Sequence, residues 1–253
     1  MKRLILVFAV LAALVPLISG AWTVPDETLR YRIKYKWGFL DANAGVATIT
    51  TEKLPGTDSF RATLTGQSVD LLGHYYGAGD TIVGTLMSDT LRSVSTQRLT
   101  HADGVFEIET VTYPDAQQSE GQVVRQLPGG KVLRERISHY GGGLTLDLLG
   151  VYYYMRQIDY GSMQQGQSVT VNIFSGKTPE TLKVTYNGPV TADSCGVSVP
   201  AYNVSLDFST PTPGGPSDQL TAVVSASAAR VPLQIAGTLK FGRIDCTLES
   251  VEP

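Results

Sequence analysis

The chain has 253 residues, of which 42% are hydrophobic, and its formal net charge is −3. Without the predicted leader described below, 18 of the 20 Lys and Arg residues remain against 23 acidic residues, which gives a net charge of −5. This mild acidity is spread along the chain, so we expect no nucleic acid partner. The sequence contains no polybasic run and no basic amphipathic stretch, so it gives no reason to expect peripheral membrane binding.

Residues 1–21 have the three parts of a secretory signal peptide. Two basic residues come first, an apolar stretch covers residues 4–17, and Ser19-Gly20-Ala21 supplies the small residues of a cleavage site. The apolar stretch is shorter than the roughly 20 residues that a membrane-spanning helix needs. No cysteine lies at the cleavage site for a lipid anchor. The sequence therefore predicts a periplasmic or secreted protein whose residues 22–253 form a single β-rich domain, with no stable membrane insertion after cleavage.

The first predicted strand alternates strictly between apolar and cationic residues. Its apolar members are Leu29, Tyr31, Ile33, Tyr35, Trp37 and Phe39, and the cations between them are Arg30, Arg32, Lys34 and Lys36. A period of two predicts a strand with its aromatic face toward the core and its cationic face toward solvent. Further short runs between turns predict strands at 46–51, 58–68, 80–87, 90–99, 104–113, 120–126, 131–138, 168–174, 180–186, 199–208, 219–227, 231–241 and 243–249.

About a dozen consecutive strands joined by short turns predict an all-β fold that is mainly antiparallel. A meander of this size must curl or close to protect its edges. We therefore expect a curved sheet or an incomplete barrel with one or two short helical insertions. The apolar parity shifts at Gly242 between the last two strands, which predicts a bulge or a tight turn there.

A heptapeptide with Leu and Tyr occurs twice, at 70–76 and, with one change, at 147–153. The flanking sequences do not match, so we interpret the copies as two local packing elements on one sheet. In the second copy Asp147 can cap a helix. Its predicted buried face consists of Leu148, Val151, Tyr152 and Met155. The first copy is cut short by Gly77-Ala78-Gly79, and a helix and a tight turn both remain open for it.

The Leu and Tyr side chains of the two copies are the candidate ligand-binding residues. They are Leu72, Tyr75, Tyr76, Leu149, Tyr152 and Tyr153. Tyrosine combines an apolar body with a polar tip, so these segments would line or cover a pocket for an apolar or lipid-like molecule in a curled sheet. In the alternative interpretation, the two segments simply fill the core.

Cys195 and Cys246 are the two cysteines of the chain. A secreted compartment permits a disulfide between them. The bridge would close a loop of about fifty residues, worth about 4 kcal/mol in the chain-entropy model. The alternative is two unpaired thiols, one in a loop and one on a strand. A catalytic redox pair is not expected, because the Cys-x-x-Cys spacing is absent.

The sequence contains no catalytic or metal-binding signature. His74, His101 and His139 are far apart and none has a partner at metal-ligand spacing, so we expect no metal and no cofactor. Three glycines follow His139-Tyr140, as in the oxyanion loop of esterases, but no Gly-x-Ser-x-Gly elbow accompanies them. Phosphate-loop, dinucleotide and zincin motifs are absent as well. We therefore predict no catalytic residues and no enzymatic activity.

Three stretches resemble one known family. They are Leu-Leu-Gly-Val-Tyr-Tyr-Tyr-Met-Arg at 148–156, the opening strands and turn at 29–47, and Ala-Arg-Val-Pro-Leu-Gln-Ile with Gly-x-Ile at 229–244. In this order, from about residue 28 to 249, they resemble the domain-of-unknown-function 3108 family. The resemblance implies a secreted or periplasmic β-rich protein, akin to the open barrels of lipoprotein carriers, and no established activity. Arg156 and Arg230 match motif positions, where ion pairing is the expected role.

The leading hypothesis is a non-enzymatic periplasmic binding or carrier protein for an apolar or lipid-like ligand. The alternative is a structural or interaction protein of the cell envelope, with an envelope protein as its partner and a β core filled by its own side chains. An enzyme acting on envelope polymers is a third hypothesis, which would require acids or histidines clustered in a cleft. Whether the interior of the sheet is empty or filled separates the first two.

Overall fold

The computed structural model of the protein describes residues 23–69, 75–102, 105–113, 120–126, 128–139, 144–175, 179–209, 217–238 and 241–253. The predicted signal peptide lies outside these ranges. Most of the described chain is strand, with one α-helix and two short 3-10 turns at Pro128–Gly130 and Tyr160–Ser162. No helix among the described residues is long and apolar enough to cross a membrane.

The elements follow one another with few interruptions. The strands of the described chain are β1 Glu27–Trp37, β2 Leu40–Lys53, β3 Ser59–Val69, β4 Tyr75–Met87, β5 Ser93–Ala102, β6 Val105–Thr112, β7 Glu120–Gln126, β8 Val132–His139, β9 Thr145–Leu146, β10 Ser168–Ile173, β11 Glu180–Ser194, β12 Val197–Ser209, β13 Ser217–Ser225, β14 Pro232–Thr238 and β15 Arg243–Glu252. The helix α1 is Leu148–Gln157 and follows β9 directly.

All of these strands belong to one sheet with the order β8-β7-β6-β5-β4-β3-β2-β1-β15-β14-β13-β12-β11-β10-β9. Neighbouring strands are antiparallel except β9 and β10, which are parallel. The chain therefore starts in the middle of the sheet, winds outward to β8, and returns from the opposite edge until β15 pairs with β1. The predicted mainly antiparallel meander is confirmed, and the sheet does not close into a barrel.

Hydrogen bonds connect two distant parts of the curled sheet. After β6, the Tyr113 hydroxyl donates a hydrogen bond to the carbonyl oxygen of Phe174, which follows β10, at 2.6 Å. The backbone N–H of Asp147 donates to Ser93 Oγ on β5 at 2.9 Å, and Thr96 Oγ1 donates to the Asp147 carboxylate. Among the described residues, these contacts join β5 and β6 to the β9–β10 edge without a strand ladder, so the barrel stays incomplete.

The alternation of β1 produces the two predicted faces only over the first part of the strand. Leu29 and Tyr31 are buried on the concave face, with exposed fractions of 0% and 3%. Trp37 and Phe39, which were predicted to face the core, are 59% and 105% exposed, so the prediction is wrong for them; they lie at the end of β1 and in the turn after it, outside the hydrophobic cluster. On the convex face, the Nε atoms of Arg30 and Arg32 lie 3.5 Å and 3.1 Å from Glu249 on β15. Successive side chains of a strand point to opposite faces, so the sequence pattern sets the orientation of the central strand.

The first Leu/Tyr copy does not place its tyrosines on a helix. Tyr75 and Tyr76 begin β4, and Tyr75 pairs with Val69 of β3. Both residues belong to a strand, so neither the helix nor the tight turn that was left open for this copy describes them. The rest of this copy, residues 70–74, lies outside the described residues. The described chain thus contains one α-helical insertion, which belongs to the second copy.

The two cysteines are free thiols, and the predicted disulfide is not formed. Cys195 lies exposed in the turn between β11 and β12, and Cys246 lies half-buried on β15. Two strands, β13 and β14, separate β12 from β15 in the sheet. Neighbouring strands are about 4.8 Å apart, whereas the Cα atoms of a disulfide lie within about 7 Å of each other. The arrangement matches the alternative of one thiol in a loop and one on a strand.

Candidate functional site

The helix α1 begins at the capping residue that the sequence predicted. Asp147 Oδ1 accepts a hydrogen bond from the backbone N–H of Gly150 at 2.6 Å. A Cβ at Gly150 would lie 3.1 Å from Leu146 Cβ on β9. This close approach accounts for a glycine whose cost to the helix is about 1 kcal/mol relative to alanine. The helix ends at Gln157, because Ile158 takes an extended backbone conformation.

The helix is buried on nearly all sides. Its buried residues are Leu149, Gly150, Val151, Tyr152, Tyr153, Met155, Arg156 and Gln157. Leu148, which the sequence analysis placed on the buried face, is 48% exposed, so this part of the prediction is wrong. A helix with one apolar stripe packs against one surface, whereas a helix buried all round is enclosed. The curled sheet encloses α1 in this way.

Tyr152 reaches across the interior to the central strand. The Tyr31 hydroxyl on β1 donates to the carbonyl oxygen of Pro232 at 2.9 Å, and it lies 3.0 Å from the Tyr152 hydroxyl. Because Tyr31 uses its one proton for Pro232, Tyr152 must be the donor to the Tyr31 oxygen. Tyr152 is 6% exposed. These two hydrogen bonds join α1, β1 and β14.

Tyr153 and Leu149 also fill the interior. The Tyr153 hydroxyl lies 2.5 Å from Thr51 Oγ1 on β2, and its ring packs edge-on against Phe60 with the ring centroids 4.9 Å apart. The exposed fractions of Tyr153 and Leu149 are 0% and 2%. The three candidate ligand residues of the second copy thus come together, but as packed core. The geometry favours the alternative in which this segment fills the sheet.

The structure describes only part of the candidate residues in the first copy. Leu72 lies outside the described residues, and only the backbone of Tyr75 and Tyr76 is described, at the start of β4. Their role in ligand binding therefore stays a prediction.

A buried ion pair holds the far end of α1. Arg156 is 0% exposed, and its guanidinium pairs with the carboxylate of Glu27, which is 8% exposed at the start of β1. Arg156 Nε donates to the carbonyl oxygen of Ala229 at 3.0 Å, and the guanidinium carbon lies 5.7 Å from the Tyr152 ring centroid. The guanidinium therefore has an acid, a carbonyl and an aromatic ring as partners in the low-dielectric interior.

Arg230 holds the same helix end from outside. Its Nη1 donates to the carbonyl oxygen of Arg156 at 3.5 Å, and its Nη2 lies 3.8 Å from Asp159 Oδ1. Arg230 has a φ of +46°, so the turn between β13 and β14 bends sharply at this residue. Both arginines make the ion pairs expected from the family resemblance.

Burial shifts the proton equilibria of this network in one direction. It raises the pKa of the Tyr31, Tyr152 and Tyr153 hydroxyls above the ordinary value of 10.0. Burial alone would lower the pKa of Arg156, but Tyr152 and Glu27 outweigh it and raise that pKa. The phenols are therefore neutral near pH 7 and the guanidinium is charged. In these protonation states the phenols can donate hydrogen bonds and the guanidinium can pair with the carboxylate of Glu27.

An open apolar pocket lies beside this network, near the C-terminal end of β15. Its volume is about 480 Å³, and we call it the mouth pocket. It lies between the β11–β12 hairpin, the β13–β14 turn and β15. The lining residues with large apolar side chains are Val199, Pro200, Val231, Leu233, Leu248 and Val251, and serines occur at positions 194, 225 and 227.

A smaller opening of about 240 Å³ lies where β4, β5 and β6 face the segment between β9 and α1. Arg98, Glu109 and Glu180 line it together with Asp147. Burial raises the pKa of Asp147, and hydrogen bonds from Thr96, Gly150 and Ser93 oppose this effect. Among the described residues, no group of three His, Cys, Asp or Glu side chains could hold a metal ion. The carboxylate of Asp147 thus lies buried at this opening and accepts hydrogen bonds from Thr96 and from the backbone N–H of Gly150.

The mouth pocket and the partners of the helix were not predicted from the sequence. Val231 and Leu233 lie in a family motif that carried no assigned role, and the predicted last strand ended two residues before Val251. Strict alternation would place Leu248 and Val251 on opposite faces, because they are three residues apart. The bulge opposite Arg30 and Tyr31 puts both on the concave side, and no local pattern marked this bulge. Glu27 carried no local signal, since its partner is 129 residues away.

The whole sequence was also compared with protein families. Residues 30–249 match the family model described as "Protein of unknown function (DUF3108)". The chain belongs to the DUF3108 family. This match confirms the resemblance drawn from the three motifs and covers most of the described sheet together with α1. No curated protein matches the sequence.

One solved structure has a fold similar to that of this DUF3108 protein. A β-barrel-like protein of the domain of unknown function DUF1849 from Brucella abortus superposes with a TM-score of 0.60 at 9% sequence identity, over 91% of this chain and 98% of that chain. A "putative lipoprotein" from Parabacteroides distasonis covers 91% of this chain and 99% of that chain at 9% identity, with a TM-score of 0.34. At this identity, the first match shows the fold alone.

Proposed function

We propose that this DUF3108 protein is an extracytoplasmic binding protein that takes up an apolar or lipid-like group in the mouth pocket and acts without catalysis. The observation that carries the proposal is the volume and lining of this pocket. Ligand pockets of proteins have volumes of about 300–1,000 Å³ and mostly apolar walls with a few polar groups. The mouth pocket, at about 480 Å³ with aliphatic walls and serines, falls within this range.

The floor of the mouth pocket is part of the core. Leu233 and Leu248 are 2% and 4% exposed and belong to the main hydrophobic cluster, whereas Val251 is 49% exposed at the rim. Ser225 Oγ accepts a hydrogen bond from the backbone N–H of Val231 at 2.9 Å, which fixes one wall. A ligand would thus find a preformed apolar floor, and binding would cost little reorganisation.

The buried helix has a supporting role in this proposal. Arg156 bonds Ala229 of the β13–β14 turn, and this turn forms one side of the mouth pocket. The helix therefore holds the pocket wall in place while its own tyrosines remain inside the core. The proposal therefore places the ligand in the mouth pocket, beyond Arg156, and not at Tyr152 and Tyr153, where the sequence predicted it.

Secretion is the other component of the proposal. The signal-like segment at residues 1–21 favours an extracytoplasmic location, in which apolar cargo must be shielded from water. A binding protein with a partly open pocket could accept and release an acyl chain without unfolding. We assign no ligand beyond this chemical class.

A fluorescent fatty acid, dansyl-undecanoic acid, tests the proposal by titration into the purified protein. We expect saturable binding with an emission increase, and competition by unlabelled fatty acid. Val251→Asp places a negative charge at the exposed rim and should weaken binding about tenfold or more, because a bound acyl chain would cover this charge and the charge would repel the carboxylate of the probe. Val132→Asp on β8 is the matched control, since Val132 is 52% exposed and distant in the sheet.

Two results would contradict the binding proposal. One is the absence of saturable binding by a protein with native circular dichroism, and the other is equal binding by the two aspartate variants. Either result would favour the second candidate, a structural or interaction protein of the envelope. The observation on the side of that candidate is the filled interior around Tyr153, whose side chain is 0% exposed.

A further inference from the structure

Large apolar side chains are exposed together where β1 ends and β15 begins, at the opposite ends of these strands from the mouth pocket. They belong to the β1–β2 turn and to the turn before β15, and we call them the aromatic tip. Its members and their exposed fractions are Trp37 59%, Phe39 105%, Leu40 38% and Phe241 61%. The rings of Trp37 and Phe241 meet edge-on with their centroids 6.5 Å apart. Single exposed apolar residues are ordinary, but a cluster marks an interaction surface.

The two turns of the aromatic tip are fastened to each other. The Tyr35 hydroxyl on β1 donates to the carbonyl oxygen of Phe241 at 2.8 Å. Gly242 has a φ of +82°, and a Cβ on it would lie 2.3 Å from the carbonyl oxygen of Lys36. Only glycine suits this position, where the turn lies against β1. The aromatic side chains are therefore exposed on a rigid support, so docking them costs little conformational entropy.

Cations outnumber acids in the parts of β1, β2 and β15 nearest the aromatic tip, whereas the three complete strands contain six of each. Residues 30–37, 40–46 and 243–249 contain five cations and three acids, an excess of two positive charges. The cations are Arg30, Arg32, Lys34, Lys36 and Arg243, and the acids are Asp41, Asp245 and Glu249. This local excess contrasts with the negative net charge of the whole chain.

We propose that the aromatic tip docks the protein reversibly onto a lipid surface that contains anionic phospholipid. The tip protrudes, since Phe39 is fully exposed, and a protruding apolar turn fits into the headgroup layer of a bilayer. Tryptophan and its aromatic neighbours favour this interface, because it is apolar on one side and wet on the other. The excess cations beside the tip would interact with anionic headgroups, each contributing favourably near the surface.

The sequence alone gave no indication of this surface. Phe39 and Phe241 are about 200 residues apart, and the cations alternate with apolar residues along β1 instead of forming a basic run. Folding brings the two turns together because β1 pairs with both β2 and β15. The aromatic tip lies about 26 Å from the Leu29 end of β1, at about 3.3 Å per residue. The aromatic tip and the mouth pocket are therefore separate surfaces at opposite ends of β1.

Vesicle co-sedimentation tests the proposal with the full protein. The vesicles contain three parts phosphatidylethanolamine and one part phosphatidylglycerol, and pure phosphatidylcholine vesicles provide the neutral comparison. Phe39→Ser with Phe241→Ser should weaken binding to the anionic vesicles about tenfold or more, since each aromatic side chain loses its apolar burial. Val132→Ser with Val197→Ser removes two other exposed apolar residues, at 52% and 62%, and should bind as the unmodified protein does.

Tryptophan fluorescence gives an independent measurement of the contact. The chain has two tryptophans, so Trp22→Phe leaves Trp37 as the single reporter. Anionic vesicles should shift the Trp37 emission to shorter wavelength, and brominated lipids should quench it. High salt should weaken binding by screening the cations.

Three outcomes would overturn the proposal. They are the absence of vesicle binding, equal loss of binding in both serine pairs, and a Trp37 spectrum that vesicles leave unchanged. Sedimentation that shows a dimer dependent on Phe39 without vesicle binding would also overturn it, in favour of a second copy of the chain as the occupant.

Discussion

Arg156 of α1 and Glu27 of β1 form an ion pair inside the curled sheet, although 129 residues separate them in the sequence. The pair lies where the last turn of the helix meets the start of the central strand. It connects the buried helix with the strand that pairs with both halves of the sheet.

Arg156→Ala should lower the free energy of unfolding by about 3–5 kcal/mol, because it leaves the Glu27 carboxylate buried without its partner. Urea unfolding followed by circular dichroism measures this loss. Arg98→Ala is the matched control, since Arg98 pairs with Asp80 at 3.1 Å on the exposed surface. Exposed pairs contribute about 0–1 kcal/mol. Equal effects of the two substitutions would contradict the buried role of Arg156.

The Tyr31 and Tyr152 hydroxyls should be unequal in their contributions to stability. Tyr31→Phe removes two hydrogen bonds, to Pro232 and from Tyr152, and leaves both groups unsatisfied in the core. Tyr152→Phe removes one hydrogen bond. We expect losses of about 2–3 kcal/mol and about 1 kcal/mol, respectively. Chemical unfolding of both single variants and the double variant gives the coupling energy; a larger loss for Tyr152→Phe would reverse the assigned donor direction.

The sequence predicted those parts of the structure that depend on neighbours in the chain. The alternation of β1 places Leu29 and Tyr31 inside, and Asp147 caps α1, because both features arise within a few residues. The face of the helix was predicted less well. Leu148 is exposed because the curled sheet encloses the other sides of α1, and curling depends on the whole strand order.

The contacts of the candidate site could not be predicted, for the same physical reason. Glu27, Thr51 and Pro232 meet α1 from three separate parts of the chain, and no local pattern marks any of them as a partner. The mouth pocket depends on how the β11–β12 hairpin, the β13–β14 turn and β15 come together in space. Family motifs located the helical segment and its spacing placed Tyr152 on the buried face, but only the fold shows that Tyr153 is also part of the core.

Alkaline pH should unfold the protein and ionise its buried tyrosines in one step. The folded-state pKa values of Tyr31, Tyr152, Tyr153 and Tyr160 are raised above 10 by burial. The folded protein keeps protons that the unfolded chain releases above pH 10, so their stabilisation is complete below pH 10 and falls as the pH rises further. Phenolate absorbance and circular dichroism should therefore change together for this set. Full ionisation of all 12 tyrosines with the sheet intact would contradict the prediction.

The two thiols should react at different rates in the native protein. Cys195 is exposed in its turn, whereas burial raises the pKa of Cys246 and lowers its thiolate fraction. Ellman's reagent should give a fast phase and a phase slower by about tenfold or more. Cys195→Ser should remove the fast phase and Cys246→Ser the slow one. A native protein that reacts only after reduction would show that the two residues are disulfide-bonded.

Asp147→Asn should keep the helix cap and remove a pH-dependent cost. Asparagine caps a helix about as well as aspartate, and its amide can donate where the carboxylate cannot. Because burial raises the folded-state pKa of Asp147, the folded protein binds a proton more tightly than the unfolded chain does. The contribution of this group is therefore largest below its unfolded pKa of about 4 and declines as the pH rises through the folded pKa. Asp147→Asn should flatten this decline and match or exceed the stability of the unmodified protein at pH 7, whereas Asp147→Ala should lose about 1–2 kcal/mol with the cap. Urea unfolding of the three proteins at pH 4 and pH 7 measures the difference, and a parallel decline in Asp147→Asn would assign the pH dependence to another group.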